Sequence, residues 1–232
     1  MEEFIPLRNA TLVLEEGRHP LEIAARERID AQWQARVADN PRLYDGDVVL
    51  ATSMKLDDGI LAATCRAVRY AGLLHFLGLP EADAMALPWR HIYCWAAIIS
   101  GDGKAIMGRM AAHTSNAGRI FFPSGSLEAL DFKDGVADID GNMARELVEE
   151  TGLVLARAAP DPHYLVSLGA RTAAIMRIYR FEERAEELVS AAQAHIAQGA
   201  DDELETVLAF APGETDPAMA PVARRFMEWF GG

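Results

Sequence analysis

The sequence has few of the features that mark secreted and membrane-bound proteins. It contains only two cysteines among 232 residues, Cys65 and Cys94, and both lie in apolar stretches without the spacing of a metal site. We therefore expect buried free thiols. The chain starts with the acidic Met1-Glu2-Glu3, and no apolar run follows that could act as a signal or span a bilayer. The sequence thus predicts a cytoplasmic protein with no membrane partner.

Basic residues are also scarce. There are 22 lysines and arginines against 35 aspartates and glutamates, which gives a formal net charge of −13. A surface that binds the phosphate backbone needs clustered Lys and Arg, so we expect no nucleic-acid partner. The acidic balance fits a small anionic ligand that is reached through bound cations. With 50% hydrophobic and 25% charged residues the composition is that of an ordinary globular protein.

Strand-like and helix-like segments alternate along the chain, which indicates an α/β (α+β) fold. Turn sequences at 57–59 and 101–103 separate apolar runs and predict two hairpins. Apolar residues at helical spacing from 20 to about 37 predict a long helix. Strands are predicted at 10–14, 47–56, 60–68, 91–100, 104–110, 119–122, 153–157, 164–168, 172–181 and 205–210, and further helices at about 142–151, 182–198 and 217–230.

Three glutamates lie close together near position 150. Residues three and four apart share a helix face, so Glu146, Glu149 and Glu150 project together. Each exposed like-charge pair costs roughly 0.2 to 0.5 kcal/mol, so the cluster indicates a positive partner. Carboxylate oxygens suit Mg²⁺ or Mn²⁺, and these ions usually bring a substrate phosphate with them. The sequence therefore predicts a divalent-metal site on this helix.

The residues around the cluster resemble the second half of the Nudix box. From Arg145 to Leu153 the order is Arg, Glu, aliphatic, any, Glu, Glu, any, Gly, aliphatic, which matches the motif without a mismatch. The segment from Phe122 to Glu128 is similar to the motif's glycine turn, with Pro-Ser-Gly in place of Pro-Gly-Gly. The likeness to the family is therefore complete in the helical half and partial in the turn.

The interval between the two halves departs from the family pattern. The family has a glutamate six residues after the second glycine, where this chain has Asp131, and its arginine comes sooner than Arg145. An insertion around 133–141 would explain the longer interval. Asp131, Asp138 and Asp140 are then the candidates for the missing glutamate, and the sequence does not choose between them.

The resemblance implies roles for the residues of the helical half. Glu149 and Glu150 correspond to metal ligands, and Glu146 to a metal-linked or base carboxylate. Arg145 corresponds to the residue that orients these glutamates by ion pairing. Many family members also use a glutamate from a later loop as general base. Glu203 and Glu205 are candidates for this base by position. The alternative is that both simply belong to an acidic, solvated turn.

The glycine turn supplies the candidate substrate-binding residues. By the resemblance, the backbone at Ser124 and Gly125 would face the metals from the opposite side, where an added side chain would crowd the approach. Arg119 enters the turn and is a candidate for a phosphate contact. Pairing of Arg119 with Glu128 is the alternative.

The resemblance also implies a domain organisation. It covers the chain from about Trp89 to the end and implies a mixed sheet sandwiched between helices in a domain spanning 89–232. Residues 1–88 would form an N-terminal α/β extension. Two of its segments, 33–46 and 69–74, are loosely similar to a Nudix branch that hydrolyses UDP-glucose and related UDP-sugars, and this likeness extends to the late helix and the loop at 199–201, so that it runs over most of the chain. A packing or homodimer interface and a substrate-capping role are both open for the extension.

Together these features predict an enzyme. The reaction would be Mg²⁺- or Mn²⁺-dependent hydrolysis of the diphosphate bond of a nucleoside diphosphate derivative, with a UDP-sugar-like nucleotide sugar preferred. The products would be a nucleoside monophosphate and a sugar phosphate. The alternatives are a Nudix enzyme for ADP-ribose, dinucleotides or nucleoside triphosphates, and a catalytically weak ligand-binding regulator with the same fold.

Overall fold

The computed structural model describes residues 4–199 and 202–232, which form two mixed β-sheets with flanking helices. Its strands are β1 (Ile5–Leu7), β2 (Asn9–Arg18), β3 (Asp47–Asp57), β4 (Ile60–Arg69), β5 (His91–Ile99), β6 (Ala105–Met110), β7 (Ile120–Phe121), β8 (Ser124–Ser126), β9 (Phe132–Lys133), β10 (Val136–Ala137), β11 (Ala159–Pro160), β12 (Tyr164–Leu168), β13 (Thr172–Arg180) and β14 (Leu204–Phe210). Its α-helices are α1 (Pro20–Ala24), α2 (Arg26–Asp39), α3 (Tyr70–Leu77), α4 (Glu81–Met85), α5 (Ile139–Thr151), α6 (Ala185–Ala197) and α7 (Pro221–Gly231). Short 3-10 turns lie at Ala129–Asp131 and Leu155–Arg157.

The larger sheet has the strand order β1-β12-β13-β5-β6-β14, and β7, β8 and β11 pair at its sides. Strand β13 runs parallel to β5 over nine residue pairs. Alternate residues of β5 point to opposite faces. Cys94, Ala96 and Ile98 join the core beneath α5 and α6, whereas Trp95 and Ala97 join the core beneath α7. The predicted mixed sheet between helices is confirmed.

The smaller sheet belongs mainly to the first third of the chain and has the order β3-β4-β2-β10-β9. Helices α1 to α3 cover one face, where Ile29 and Trp33 pack against Val48 and Leu50. The other face, which includes Leu12, joins the same core as α5 and α6. The predicted N-terminal α/β arrangement is therefore present, and one of its faces is continuous with the core of the larger sheet.

Strands cross the boundary predicted near position 88 in both directions. Strand β1 pairs with β12 and forms an edge of the larger sheet. The hairpin β9–β10, which lies between the glycine turn and α5, pairs with β2 in the smaller sheet. The division into 1–88 and 89–232 remains a prediction, but each part completes a sheet of the other.

Several segments differ from the sequence prediction. The segment 153–157 alternates between buried and exposed residues like a strand, but it contains a 3-10 turn closed by a hydrogen bond from Ala158 N to Leu155 O. The helix predicted from 20 to 37 is two helices, with a break at Ala25 (φ −115°, ψ 16°). Leu21 before the break, Ala25 at the break and Ile29 after it are all buried, so the apolar spacing continues through the break. Within residues 4–199 and 202–232, no helix is long and apolar enough to cross a bilayer.

Candidate functional site

Helix α5 carries the glutamate cluster and has well-defined ends. It begins at Ile139, three residues earlier than predicted, because Asp138 serves as N-cap and its Oδ1 accepts a hydrogen bond from Gly141 N at 3.0 Å. It ends at Thr151 and is followed by Gly152 as C-cap, whose φ of 69° lies in the left-handed region. The predicted end of the helix near 151 is therefore confirmed, and the predicted start near 142 is wrong by three residues.

The helix buries one stripe and presents the glutamates beside it. Ile139, Met143 and Leu147 are buried in the core beneath the larger sheet. Glu149 is exposed, whereas Glu150 is buried at the edge of the same stripe. The apolar spacing of three and four residues thus fixes the rotation of the helix and, with it, the direction of the carboxylates.

Arg145 lies at the centre of the charged groups. Its guanidinium contacts Asp131 Oδ2 at 3.1 Å, Glu146 Oε1 at 2.8 Å and Glu149 Oε2 at 3.0 Å. Burial alone would lower the pKa of Arg145, but the hydrogen bond to Asp131 and the negative charges of the glutamates hold it above its ordinary value. The arginine is therefore placed to orient the carboxylates, as the resemblance implies.

The three aspartates proposed for the missing glutamate have different positions. Asp131 is 5% exposed and accepts hydrogen bonds from Glu128 N at 2.8 Å and from Asn142 Nδ2 at 3.0 Å, besides its ion pair with Arg145. Asp138 caps the helix and pairs with Lys133. Asp140 faces the sheet, where it pairs with Arg177 at 2.9 Å and accepts from Tyr179 Oη at 2.7 Å. The partner of Arg145 is thus Asp131, and neither Asp138 nor Asp140 pairs with it among the described contacts.

The glycine turn lies directly against the glutamates. Strand β8 pairs with β5, and Gly125 stands opposite Cys94 on the face that looks toward α5. A Cβ added at Gly125 would lie 1.9 Å from Glu146 Oε1, so any larger residue there would displace the Glu146 carboxylate or the turn. Ser124 N donates to Glu150 Oε1 at 3.3 Å. The turn and the helix therefore meet at two of the three glutamates.

The environment of Glu146 favours its protonated form. Burial raises its pKa to about 7; Arg145 opposes this rise, whereas the charges of Glu149, Asp131 and Glu203 add to it. A carboxylate that is buried among others is the group whose charge a bound cation would stabilise most.

The two later glutamates occupy different positions relative to the cluster. Glu203 is exposed, and its backbone carbonyl accepts a hydrogen bond from Ala111 N at 2.7 Å, just after the end of β6. Glu205 is exposed at the bulge of β14 between Leu204 and Thr206. Of this pair, only Glu203 contributes to the raised pKa of Glu146.

The side chain of Arg119 is not paired with Glu128, one of its two predicted partners, among the described contacts. It is exposed just before β7, and its carbonyl accepts from Met110 N at 2.9 Å. Across residues 4–199 and 202–232, its side chain forms no ion pair with Glu128. The pKa of Glu128 is raised mainly by burial, against the opposing charge of Arg145. A phosphate contact by Arg119 remains a prediction.

The residues fit a hard divalent cation in their chemistry. Over the part of the chain that the structure describes, no group of three or more His, Cys, Asp or Glu side chains is already arranged to hold a metal ion. Instead, Arg145 pairs with Glu146 and Glu149, and Glu150 is turned toward Ser124. The donor set is nevertheless all carboxylate oxygen on one helix, and glycine at position 125 leaves the Glu146 oxygens the space that a Cβ would fill.

Two further residues support the site without having been predicted to do so. Asn142, fully buried, stands three residues before Arg145 on the helix and donates to Asp131. His91 Nε2 lies 2.9 Å from Ser126 Oγ and so ties the glycine turn to the start of β5. Asn142 and Arg145 are three residues apart on one helix, a spacing from which the sequence could have indicated a shared partner. The His91 contact spans 35 residues, and no local pattern in the sequence indicates it.

Comparisons with known proteins give partial likenesses. No family model matches the chain, and no curated protein matches it. Among solved structures, it is similar to the MutT protein of Methanosarcina mazei at 18% identity, over 61% of this chain and 92% of that one, with a TM-score of 0.42. It is also similar to the Nudix hydrolase RenU of M. smegmatis at 10% identity, over 60% of this chain and 83% of that one, with a TM-score of 0.41.

A third similar structure belongs to a longer protein. The bifunctional NMN adenylyltransferase/ADP ribose pyrophosphatase of Francisella tularensis is 22% identical over 53% of this chain and 33% of that one, with a TM-score of 0.34. At these identities and TM-scores, the likenesses assign neither a family nor an activity to this chain.

Proposed function

We propose that this chain is a Nudix-type hydrolase that uses Mg²⁺ or Mn²⁺ to cleave the diphosphate bond of a nucleoside diphosphate derivative. One observation carries the proposal. The glycine turn packs its single Cβ-free position, Gly125, against Glu146 of a helix that also presents Glu149 and Glu150. The unbroken motif from Arg145 to Leu153 supports the same conclusion independently of the coordinates.

Each residue of the cluster has a proposed task. Glu146, Glu149 and Glu150 would hold the ion, and Arg145, fixed by Asp131, would orient two of them. The bound ion would neutralise charge on the diphosphate oxygens and lower the pKa of a coordinated water. The backbone at Ser124 and Gly125 would border the substrate. These tasks amount to positioning and electrostatic stabilisation, which are the main needs of such a displacement.

We propose Glu203 rather than Glu205 as the general base. Its charge adds to the raised pKa of Glu146, and its backbone carbonyl is hydrogen-bonded to Ala111 N after the end of β6. Replacing Glu203 by Gln should lower kcat by on the order of 10²-fold, the usual contribution of a base. Glu205→Gln is the matched control and should leave kcat near the wild-type value. Equal effects of the two variants would contradict the choice.

The proposed substrate is a nucleotide sugar of the UDP-sugar kind. The loose sequence likeness of 33–46 and 69–74 to the UDP-sugar branch supports it. The test is to incubate the purified protein and Mg²⁺ with UDP-sugars, other nucleotide sugars, ADP-ribose, dinucleotides and nucleoside triphosphates, and to identify the products by mass. Release of UMP and a sugar phosphate is the expected result. Cleavage of another substrate alone would correct the specificity, and no turnover of any compound would favour the ligand-binding regulator.

A further inference from the structure

The loop between the glycine turn and α5 is held by the N-terminal part of the chain. At its start, Val49 N of β3 donates to Leu127 O at 2.9 Å. Further along, Leu14 N of β2 donates to Gly135 O at 2.9 Å, in the turn of the β9–β10 hairpin. The start of this loop and its hairpin turn are therefore both hydrogen-bonded to strands that precede position 60.

The same loop positions Asp131, the ion-pair partner of Arg145. Asp131 is the last residue before the hairpin, and Asp138 is the first after it and also the N-cap of α5. The hairpin is closed at its base by a hydrogen bond from Asp138 N to Asp131 O at 2.7 Å. Movement of the hairpin would thus shift both the partner of Arg145 and the start of the helix that carries the glutamates.

We infer that the N-terminal extension is a positioning element of the carboxylate site, acting through the docking of the β9–β10 hairpin onto β2. The inference rests on the proposed function and gives the extension a task besides packing, dimer formation or substrate capping. Val13 and Val136 are the positioning residues: they stand opposite each other where the hairpin joins the sheet. Neither touches the carboxylates, so they act only through the loop.

The geometry of this pair permits a selective test. Leu14 and Gly135 form a hydrogen-bonded pair, so the adjacent Val13 and Val136 form a non-hydrogen-bonded pair, in which side chains lie closest. Val13 is 39% exposed and Val136 43% exposed, so charged residues are tolerated at both positions. Lys133 stands opposite Val136 within the hairpin and would keep the hairpin itself closed around an aspartate at position 136.

The experiment compares two double variants with the full-length wild type. V13D/V136D places like charges across the docking pair, whereas V13K/V136D places opposite charges there. In V13D/V136D we expect faster amide hydrogen exchange over residues 128–142, weaker Mn²⁺ binding by electron paramagnetic resonance, and a kcat lowered about fivefold with KM unchanged. V13K/V136D should restore all three. The inference is overturned if both variants behave alike, or if exchange rises while Mn²⁺ binding and kcat stay at the wild-type values.

A cross-link tests the same inference from the opposite side. Disulfides fit non-hydrogen-bonded pairs, and V13C/V136C would tether the hairpin to β2. The native thiols are buried, and burial raises the pKa of Cys65 to about 12, so oxidation should be confined to the new pair. The oxidised protein should keep wild-type kcat and Mn²⁺ binding, and loss of both on oxidation would show that the docked hairpin is not the active arrangement. If the wild type turns over no substrate, the proposed function fails, and Mn²⁺ binding with hydrogen exchange still tests the positioning role.

Discussion

The two halves of the candidate site are ordered in different ways. The helical half, 145–153, is determined locally by an apolar stripe, an N-cap and a left-handed glycine. The loop half, 123–138, has little regular structure of its own and is held by β5, β3 and β2, which are distant in sequence. Local structure thus determines the direction in which the glutamates project, and long-range strand pairing determines which parts of the loop lie against them. Arg145 and Asp131 join the two halves through one nearly buried ion pair.

The largest expected effect is in the helical half. Glu150→Gln keeps the shape and the hydrogen bond from Ser124 N but removes the charge of a proposed ligand. We expect kcat to fall by on the order of 10²- to 10³-fold, as when a preorganised electrostatic group is removed. Thermal unfolding should change little, because fewer like charges repel on the helix. Steady-state kinetics over a Mg²⁺ series would measure the loss.

Glu228→Gln, at an exposed site on α7, is the matched control for Glu150→Gln and should behave as the wild type. If Glu150→Gln and Glu149→Gln both retain wild-type turnover, the helical half does not carry the chemistry.

The next largest effect is expected where the two halves touch. In Gly125→Ala the new Cβ would lie 1.9 Å from Glu146 Oε1, so the turn or the carboxylate has to move. A displacement of about 1 Å at a reacting centre can cost about 10²-fold in rate, and we expect a loss of that size in kcat. Ser124→Ala is the control, because position 124 already carries a Cβ. Equal kinetics for the two variants would mean that Gly125 is not required for the site.

A smaller loss is expected when the joint between the halves is weakened. Asp131→Asn removes the most buried of the three carboxylates that contact Arg145, while Glu146 and Glu149 remain, and we expect about 2 kcal/mol less stability toward urea. The kcat value should fall about tenfold, the lower range for a residue that orients ligands. Asp138→Asn, at the N-cap, should cost less than about 0.5 kcal/mol, since Asn caps a helix as well as Asp. A larger loss in the Asp138 variant would place the joint elsewhere.

The difference between the halves also explains what the sequence could predict. The helix with its glutamates and Gly152, and the hairpin at Asp58-Gly59, were readable because each signal lies within a few residues. The hairpin at 132–137 was not, since its strands have two residues each and its partner, Val13, lies more than a hundred residues earlier. Asp131, Asp138 and Asp140 looked equivalent for the same reason. Only the packing of the loop on distant strands separates them.

The effect that is smallest at neutral pH, and appears only as the pH falls, concerns the contact that fixes the glycine turn from β5. Burial lowers the pKa of His91 from 6.5 to about 4, so in the folded protein the ring that contacts Ser126 is neutral above about pH 4. Between pH 6.5 and 4 the unfolded chain binds more protons, so the contribution of His91 is full above pH 6.5 and is lost as the pH falls to 4. The loss should approach about 3 kcal/mol at the acid end.

His91→Gln should therefore flatten the fall in urea-unfolding free energy between pH 6.5 and 4. The fall should not disappear in this variant, because burial also lowers the pKa of His19 to about 4 in the N-terminal part. The double variant with His19→Gln should flatten the fall further if the two regions unfold together, while the lowered pKa of His75 and the raised pKa of Glu146 act in opposite directions on what remains. His163→Gln, at an exposed loop position, is the control. A slope that is unchanged in His91→Gln would show that the turn is held by its backbone pairing with β5 alone, which would make the loop half more local than its contacts indicate.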